Sequence, residues 1–244
     1  MPSVSHSNLE ILLNKKGREA YSEVLKLLSL SLISDDPFNE LELYLVLNGL
    51  KPAARFELDV IACKEKEKIE KAKLARDDKV KSLKLGLDEL SLPYSITNEV
   101  KDYMDSIGAY YNLISVYIAS NRKNLEMLVN ANNDEEEGIA LGYPAEAVKA
   151  FGNTINGEER NGTYLVNAMQ NAENAGISIP SWLAYISFVP EQLDLVSGKI
   201  SKSSETLGNK YQEFVRANNP ELAKRVEARF YKLVFSMRGD NNET

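Results

Sequence analysis

The stretch LISVYIAS, residues 113–120, decides the fold class of this chain. Val116 and Ile118 are β-branched, and such residues favour strands because their side chains pack well on a pleated surface. Asn121 follows at once and can cap a helix. The stretch therefore predicts a strand over residues 113–119 that leads directly into a helix, an order typical of mixed α and β proteins.

Other stretches are also candidates for strands. In RFELDVIA, residues 55–62, apolar and acidic residues alternate as they do in a strand with one buried face. A helix that continues through Cys63 fits the same letters. Two shorter candidates cover residues 92–97 and residues 182–189. Together these stretches predict a small sheet of three or four strands.

Helical patterns fill most of the remaining sequence. Pro37 suits the first turn of a helix that Asn48-Gly49 ends. A lysine- and glutamate-rich helix is predicted from Lys64 to Leu85, with Gly86 as its C-terminal cap. Further helices are predicted at residues 9–28, 121–131, 135–141, 145–151 and 162–175, around residues 207–214, and after Asn219-Pro220.

The predicted fold class is therefore α/β (α+β) and rich in helix. A small three- to four-stranded sheet is packed by helices and followed by a C-terminal helical segment. No linker, low-complexity tract or repeat interrupts the 244 residues. We expect a single compact domain over residues 1–244, in which residues 192–238 are the candidate for a helical subdomain.

Composition excludes several chemistries. With 43% hydrophobic residues the chain can bury a core, and its net charge of −7 disfavours general binding to nucleic acids. The single histidine, His6, and the single cysteine, Cys63, leave histidine triads, disulfides and thiolate metal sites without their parts. No apolar run approaches the ~20 residues of a membrane helix, and no signal peptide is visible. We expect a cytoplasmic protein with no cofactor, no metal and no membrane contact.

The stretch most like a site is EEEGIALGYPAEAVKAFG, residues 135–152. The acidic residues 134–137 precede the helix break Gly142-Tyr143-Pro144, and Glu146 follows it. Carboxylates suit a hard cation, but consecutive helical residues point in different directions. Negative charge in a first helical turn also stabilises the helix dipole without a ligand. Helix capping is therefore favoured over a cation site, and Tyr143 is either a buried support or a pocket wall.

Two basic features are candidates for contact with phosphate. The turn Ser120–Lys123 combines free backbone amides with Arg122 and Lys123, which is the chemistry of an anion site. The alternative is a helix cap with exposed basic side chains. Residues 64–84 hold nine basic and five acidic residues. Such a helix is a candidate for RNA binding, although its interspersed glutamates and lack of aromatic residues favour a solvated face.

Three segments carry a resemblance to a known family. They are DPFNELELYLVLNGLKPAARFELDV (residues 36–60), ALGYPAEAVKAF (residues 140–151) and YISFVPEQLDLVSGKISKSSETLGNKY (residues 185–211). Together they resemble an uncharacterised archaeal protein family, domain-of-unknown-function family 483.

The resemblance spans most of the chain and supports the fold, but it implies no established activity. Some relatives carry a cysteine pair just after Gly-Tyr-Pro and more cysteines after the proline that matches Pro190. This chain has Ala145–Ala147 at the first place and Glu191–Leu195 at the second. The resemblance thus implies no thiolate metal centre here. It also implies that the Gly-Tyr-Pro corner and the Pro190 segment lie close together.

These observations favour a non-catalytic interaction protein that forms homo-oligomers. Reactive side chains are scarce, whereas apolar helical stripes and twelve tyrosines suit interfaces. The first alternative is an enzyme or sensor for a phosphorylated or nucleotide-like ligand, which would act through carboxylates and basic side chains. Its candidate ligand-binding residues are Arg122, Lys123, Tyr143 and Glu146. The second alternative is RNA binding through residues 64–84.

Overall fold

The computed structural model describes residues 15–28, 37–63, 66–97, 103–104, 110–154, 172, 175–186 and 201–235. The chain divides into two compact units. The first unit comprises Asn8–Asn130, and the second comprises Ala131–Thr244 together with Met1–Ser7. The single domain over residues 1–244 and the subdomain at residues 192–238 stay predictions.

The helices and strands of the first unit are α1 (Lys15–Leu28), α2 (Pro37–Leu47), β1 (Ala53–Cys63), α3 (Lys66–Glu89), β2 (Tyr94–Thr97), β3 (Tyr103–Met104), β4 (Tyr110–Ala119) and α4 (Arg122–Val129). Those of the second unit are α5 (Asp134–Ala140), α6 (Ala145–Thr154), a 3₁₀ helix (Ser181–Tyr185), α7 (Lys202–Asn218) and α8 (Pro220–Phe235). The predicted class, a helix-rich α+β fold with a small sheet and a C-terminal helical segment, is confirmed.

The sheet of the first unit is antiparallel, with the order β1-β4-β2. β1 pairs with β4 so that Phe56 lies opposite Val116. β2 pairs with β4 so that Tyr94 lies opposite Ile118, and the short β3 also pairs with β4. β1 runs as a strand to Cys63, so the alternative helix through this residue does not form. The strands predicted at residues 55–62 and 113–119 are confirmed, and the one predicted at residues 92–97 forms over Tyr94–Thr97.

One face of the sheet supplies the core of the first unit. Ile114, Val116 and Ile118 of β4 are buried, whereas Ser115 and Tyr117 between them are half-buried. Helices α1, α2 and α3 contribute buried aliphatic side chains to the same cluster. Each fully buried side chain of this size contributes about 1.5–3 kcal/mol. The alternation in the sequence therefore positions the sheet against the helices.

Helix α3 does not end at Gly86, so the predicted cap is wrong. Gly86 is buried inside the helix, and a Cβ atom placed on it would lie 2.5 Å from Cγ2 of Val24 on α1. The missing side chain therefore lets α1 and α3 pack closely. Glycine is required at this position because of Val24, which lies 62 residues earlier in the sequence. A sequence pattern for a helix end covers only neighbouring residues and therefore cannot show this requirement.

The observed end of α3 lies around Ser91, the described non-glycine residue with a positive φ, of 56°. The amide of Ser91 donates to the carbonyl of Asp88 at 3.0 Å, and the amide of Leu92 donates to that of Leu87 at 3.2 Å. This pair of bonds is the usual left-handed helix end, in which glycine is preferred. A serine at that position gives no sequence signal of the end.

The strand predicted at residues 182–189 is wrong over its described part, because Ser181–Tyr185 form a 3₁₀ helix. Four consecutive side chains, Trp182–Tyr185, are buried there. A strand would turn alternate side chains to its two faces, whereas a single helical turn can bury a consecutive run between neighbouring helices. Residues 187–189, and most of the helix predicted at residues 162–175, lie outside the described residues.

Among the described helices, none is both long enough and apolar enough to cross a membrane.

Candidate functional site

The acidic run at the start of α5 is engaged in capping. The side chain of Asn133 accepts a hydrogen bond from the amide of Glu136 at 2.9 Å. In return the Glu136 carboxylate accepts from the backbone amide and the side-chain amide of Asn132, at 2.8 and 3.0 Å. These bonds, the backbone one above all, lower the pKa of Glu136. Within the described ranges no three histidine, cysteine or acidic residues group closely enough to hold a metal.

The Gly-Tyr-Pro corner joins α5 to α6, and the predicted helix break is confirmed. Gly142 has a φ of +84°, where a side chain would be strained. Its amide donates to Ile139 at 2.9 Å, and the amide of Tyr143 donates to Gly138 at 3.0 Å. A Cβ atom on Gly138 would lie 2.8 Å from Cγ2 of Val148. The two glycines therefore allow a sharp turn and a close approach of the two helices.

Glu146 links this corner to α7. The hydroxyl of Ser203 donates to Oε2 of Glu146 at 2.6 Å. Tyr143 is half-buried in the same corner. The predicted site residue Glu146 thus contacts the first turn of α7.

An open groove of about 570 Å³ runs between the corner and α7. Its lining includes Gly142, Pro144, Lys202, Thr206, Leu207 and Lys210. Both lysines are exposed. The sequence analysis did not single them out, because nothing in the spacing of α7 reveals that the corner folds over its first turns.

The basic turn after β4 is built as a helix cap. The side chain of Asn121 accepts from the amide of Asn124 at 3.0 Å, and the hydroxyl of Ser120 donates to the carbonyl of Pro52 at 3.1 Å. Arg122 lies 3.5 Å from the carboxylate of Glu126, and both side chains are exposed. The strand-to-helix turn is therefore confirmed, while anion binding there stays a prediction.

The predicted ligand-binding set is divided between the two units. Arg122 and Lys123 belong to the first unit, whereas Tyr143 and Glu146 belong to the second. Their role as one ligand site stays a prediction.

A half-buried polar network in the second unit was missed by the sequence analysis. Oε1 of Glu227 accepts from the hydroxyl of Tyr185 at 2.7 Å and from Nε of Arg216 at 2.8 Å. The side chain of Gln212 donates to the same oxygen at 3.5 Å and to the hydroxyl of Ser181 at 2.8 Å. The network ties the 3₁₀ helix, α7 and α8 together. The residues of this network come from three separate segments of the sequence, so no local sequence motif predicts the network.

The network keeps Glu227 ionised and Tyr185 protonated. Burial acts to raise the pKa of Glu227, but the hydrogen bonds from Arg216 and Tyr185 outweigh it, and the net pKa is lowered. Burial, followed by the bond to Glu227, raises the pKa of the Tyr185 hydroxyl. The carboxylate is therefore held by donors of its own chain, which is the chemistry of a structural link.

We expect Glu227→Gln to remove a pH-dependent part of the stability. Because the folded pKa of Glu227 lies below its ordinary 4.5, the ionised form stabilises the fold above that value. This contribution is lost as the pH falls through the folded pKa. At neutral pH the variant should lose about 1–3 kcal/mol, because the charged acceptor of the buried Tyr185 hydroxyl is gone.

Urea denaturation between neutral and acid pH, followed by the fluorescence of the single tryptophan, Trp182, measures this. Glu221→Gln is the matched control on α8, since that carboxylate is exposed and its ion pair with the neighbouring Lys224 lies on the surface. Equal pH profiles for the wild type and Glu227→Gln would contradict the assignment.

Helix α3 carries an exposed face that its packing in the first unit does not use. Leu83 and Leu87 are buried in the core, whereas Leu74 and Leu85 are 68% and 64% exposed. The two exposed leucines are three helical turns apart, about 16 Å along the axis. They therefore lie on the same side of the helix.

Four exposed charged residues extend this face at alternating spacings of three and four residues. The outer stripe of α3 consists of Lys71, Leu74, Asp78, Lys81, Leu85 and Asp88. Asp88 also forms a hydrogen bond with the hydroxyl of Tyr94. A groove of about 310 Å³ lies beside Leu85, between Val80, Lys81 and Lys84. Alternating spacings of three and four residues are those of a seam along which one helix packs on another, and here two of the six seam positions are apolar.

No protein-family model, curated protein or solved structure matches this chain. The resemblance to the archaeal family of unknown function stays an expectation. What the fold and the sites define is a helix-rich α+β protein with an exposed heptad stripe in its first unit and a lysine-flanked groove in its second.

Proposed function

We propose that this chain is a non-catalytic, oligomer-forming protein of the cytoplasm whose contact surface is the outer stripe of α3. The supporting observation is the exposure of Leu74 and Leu85 on one line of a 24-residue helix. Burying a leucine side chain fully contributes about 1.5–3 kcal/mol. Two exposed leucines on the same side of one helix therefore favour association with a partner that covers both.

The described polar clusters support a non-catalytic role. Glu136 serves a helix cap, and Glu227 accepts the bonds of a structural network. Glu146, the carboxylate considered as a general base, accepts a hydrogen bond from Ser203. Acidic residues and leucines interrupt the lysines of the outer stripe, which favours a protein contact over nucleic-acid phosphates.

Sedimentation of the purified chain tests the proposal. We expect the mass to rise above the 27.3 kDa of one chain as the concentration is raised from low micromolar to several hundred micromolar. Leu74→Gln/Leu85→Gln should stay at the mass of one chain and should keep the far-ultraviolet circular dichroism of the wild type, because both side chains are exposed in the single chain.

The matched control is Met127→Gln, which removes a 47% exposed apolar side chain from α4 and should associate like the wild type. A protein that keeps the mass of one chain throughout, or a leucine double variant that associates as well as the wild type, would contradict the proposal.

The groove beside the Gly-Tyr-Pro corner supports the ligand alternative, because Lys202 and Lys210 flank it. A thermal-shift screen with inorganic phosphate, nucleotides and Mg²⁺ separates the two functions. A ligand at a hundred times its dissociation constant adds about 2.7 kcal/mol, and we expect no such stabilisation. A shift that disappears in Lys202→Gln/Lys210→Gln would favour the ligand function.

A further inference from the structure

We infer that the outer stripe of α3 binds a second copy of this chain, with the two α3 helices antiparallel and related by a two-fold axis. The inference rests on the proposed function and specifies its partner and geometry. It is carried by the order of the charges along the stripe.

From its N-terminal to its C-terminal end, the stripe reads lysine, leucine, aspartate, lysine, leucine, aspartate. The spacings are three, four, three, four and three residues, which place all six positions along one line of the helix. When a second copy is turned end to end, each lysine meets an aspartate and each leucine meets a leucine. The facing pairs are Leu74 with Leu85, Asp78 with Lys81, and Lys71 with Asp88, each formed twice.

The same two-fold arrangement also suits the shape of the surface. Leu74 of the second copy would enter the groove beside Leu85, between Lys81 and Lys84. At the flanks of the stripe, Asp77 and Lys84 lie on one side and Ala75 and Ser82 on the other. The two-fold axis sets like flanks opposite each other, so Asp77 of one copy comes near Lys84 of the other. Within the stripe, the facing charges are of opposite sign.

Other arrangements of two copies oppose charges. In a parallel pair in register, each residue of the stripe meets itself, so Asp78 faces Asp78 and Lys81 faces Lys81. Like charges placed directly across an interface disfavour it. A parallel pair shifted by seven residues sets Leu74 against Lys81 and Asp78 against Leu85, which buries charges on leucines. A closed two-fold dimer is also the commonest oligomer of soluble proteins.

Cysteine cross-linking in the full-length chain tests the geometry. In a Cys63→Ser background, Leu74→Cys and Leu85→Cys are prepared separately and oxidised alone or as an equimolar mixture. We expect a covalent dimer in the mixture and none from either variant alone, because only positions 74 and 85 face each other closely enough for a disulfide. Cross-linking of either variant with itself would overturn the antiparallel register.

Charge reversal provides an independent measurement on exposed residues. Asp78→Lys and Lys81→Asp should each weaken the dimer about tenfold or more, since two charge pairs per dimer become repulsive. The double variant Asp78→Lys/Lys81→Asp re-forms both pairs with reversed polarity and should dimerise like the wild type. Circular dichroism checks that every variant is equally helical. A double variant as weak as the single ones would overturn the inference.

Failure of the antiparallel pairing and failure of the proposed function would give different experimental results. If sedimentation shows a dimer that depends on Leu74 and Leu85 while neither the mixed cross-link nor the charge rescue appears, the antiparallel pairing is wrong and the proposed function stands. If sedimentation shows one chain at every concentration, the proposed function itself is wrong.

Discussion

Glu42→Leu is expected to destabilise the first unit by about 3–5 kcal/mol, the largest effect of any single substitution considered for this protein. Lys51, which follows the end of α2, is only 3% exposed, and its ammonium pairs with the carboxylate of Glu42, which is 15% exposed. Removing the carboxylate deprives the buried ammonium of this ion pair. Urea denaturation followed by far-ultraviolet circular dichroism measures the loss.

The double variant Glu42→Leu/Lys51→Met should recover most of that stability, because no charge is then left in the buried site. Glu57→Leu is the matched control, since its ion pair with Arg55 is exposed on both sides and contributes little. If Glu42→Leu unfolds at the same urea concentration as Glu57→Leu, the buried ion pair does not stabilise the fold.

Gly208→Ala is expected to destabilise the second unit by about 2 kcal/mol. A Cβ atom on Gly208 of α7 would lie 2.3 Å from Cε3 of Trp182 and 3.1 Å from its carbonyl oxygen. The indole is buried and rigid, so either the 3₁₀ helix or α7 must move, and such overpacking costs about 1–3 kcal/mol. The loss should appear even though alanine is favoured over glycine in a helix by about 1 kcal/mol.

Trp182→Leu separates the overpacking from the helix preference. In that background the ring is gone and the contact with the backbone carbonyl at 3.1 Å stays, so Gly208→Ala should lose much less stability than it does in the wild type. Glu213→Ala, at an exposed position of the same helix, controls for substitution of α7 itself. All variants are compared by urea denaturation with circular dichroism, since one of them lacks the tryptophan. An equal loss from Gly208→Ala in both backgrounds would contradict the close approach.

Much of the local structure could be predicted from the sequence. Alternating apolar residues correctly placed β1 and β4, and Asn48-Gly49 correctly ended α2, because Gly49 has a φ of +67°. The same holds for the Gly142 corner and for the helix start at Pro220. In each case the deciding interactions join residues within a few positions of one another, so their chemistry can be read from neighbouring letters.

Less of the candidate site could be predicted. The sequence correctly predicted that Leu83 of α3 faces inward, but only the burial of the folded chain showed that Leu74 and Leu85 are left exposed. Lys202 and Lys210 are candidate site residues only because they line a groove with the Gly-Tyr-Pro corner, which is about sixty residues away in sequence. The anion and carboxylate candidates were chosen by residue type, and residue type does not determine which side chains meet.

The sequence by itself determined the fold class of this protein, its sharp turns and the scarcity of reactive groups, and it located three strands of the sheet. The tertiary structure decided that Gly86 and Gly208 are contact points, that Lys51 is buried beside Glu42, and that 3₁₀ rather than strand geometry suits Ser181–Tyr185. The physical reason is the difference in the range, along the sequence, of the interactions involved. Backbone preferences and side-chain alternation act over a few residues, whereas close packing and charge burial depend on atoms that the folded chain brings together from distant segments.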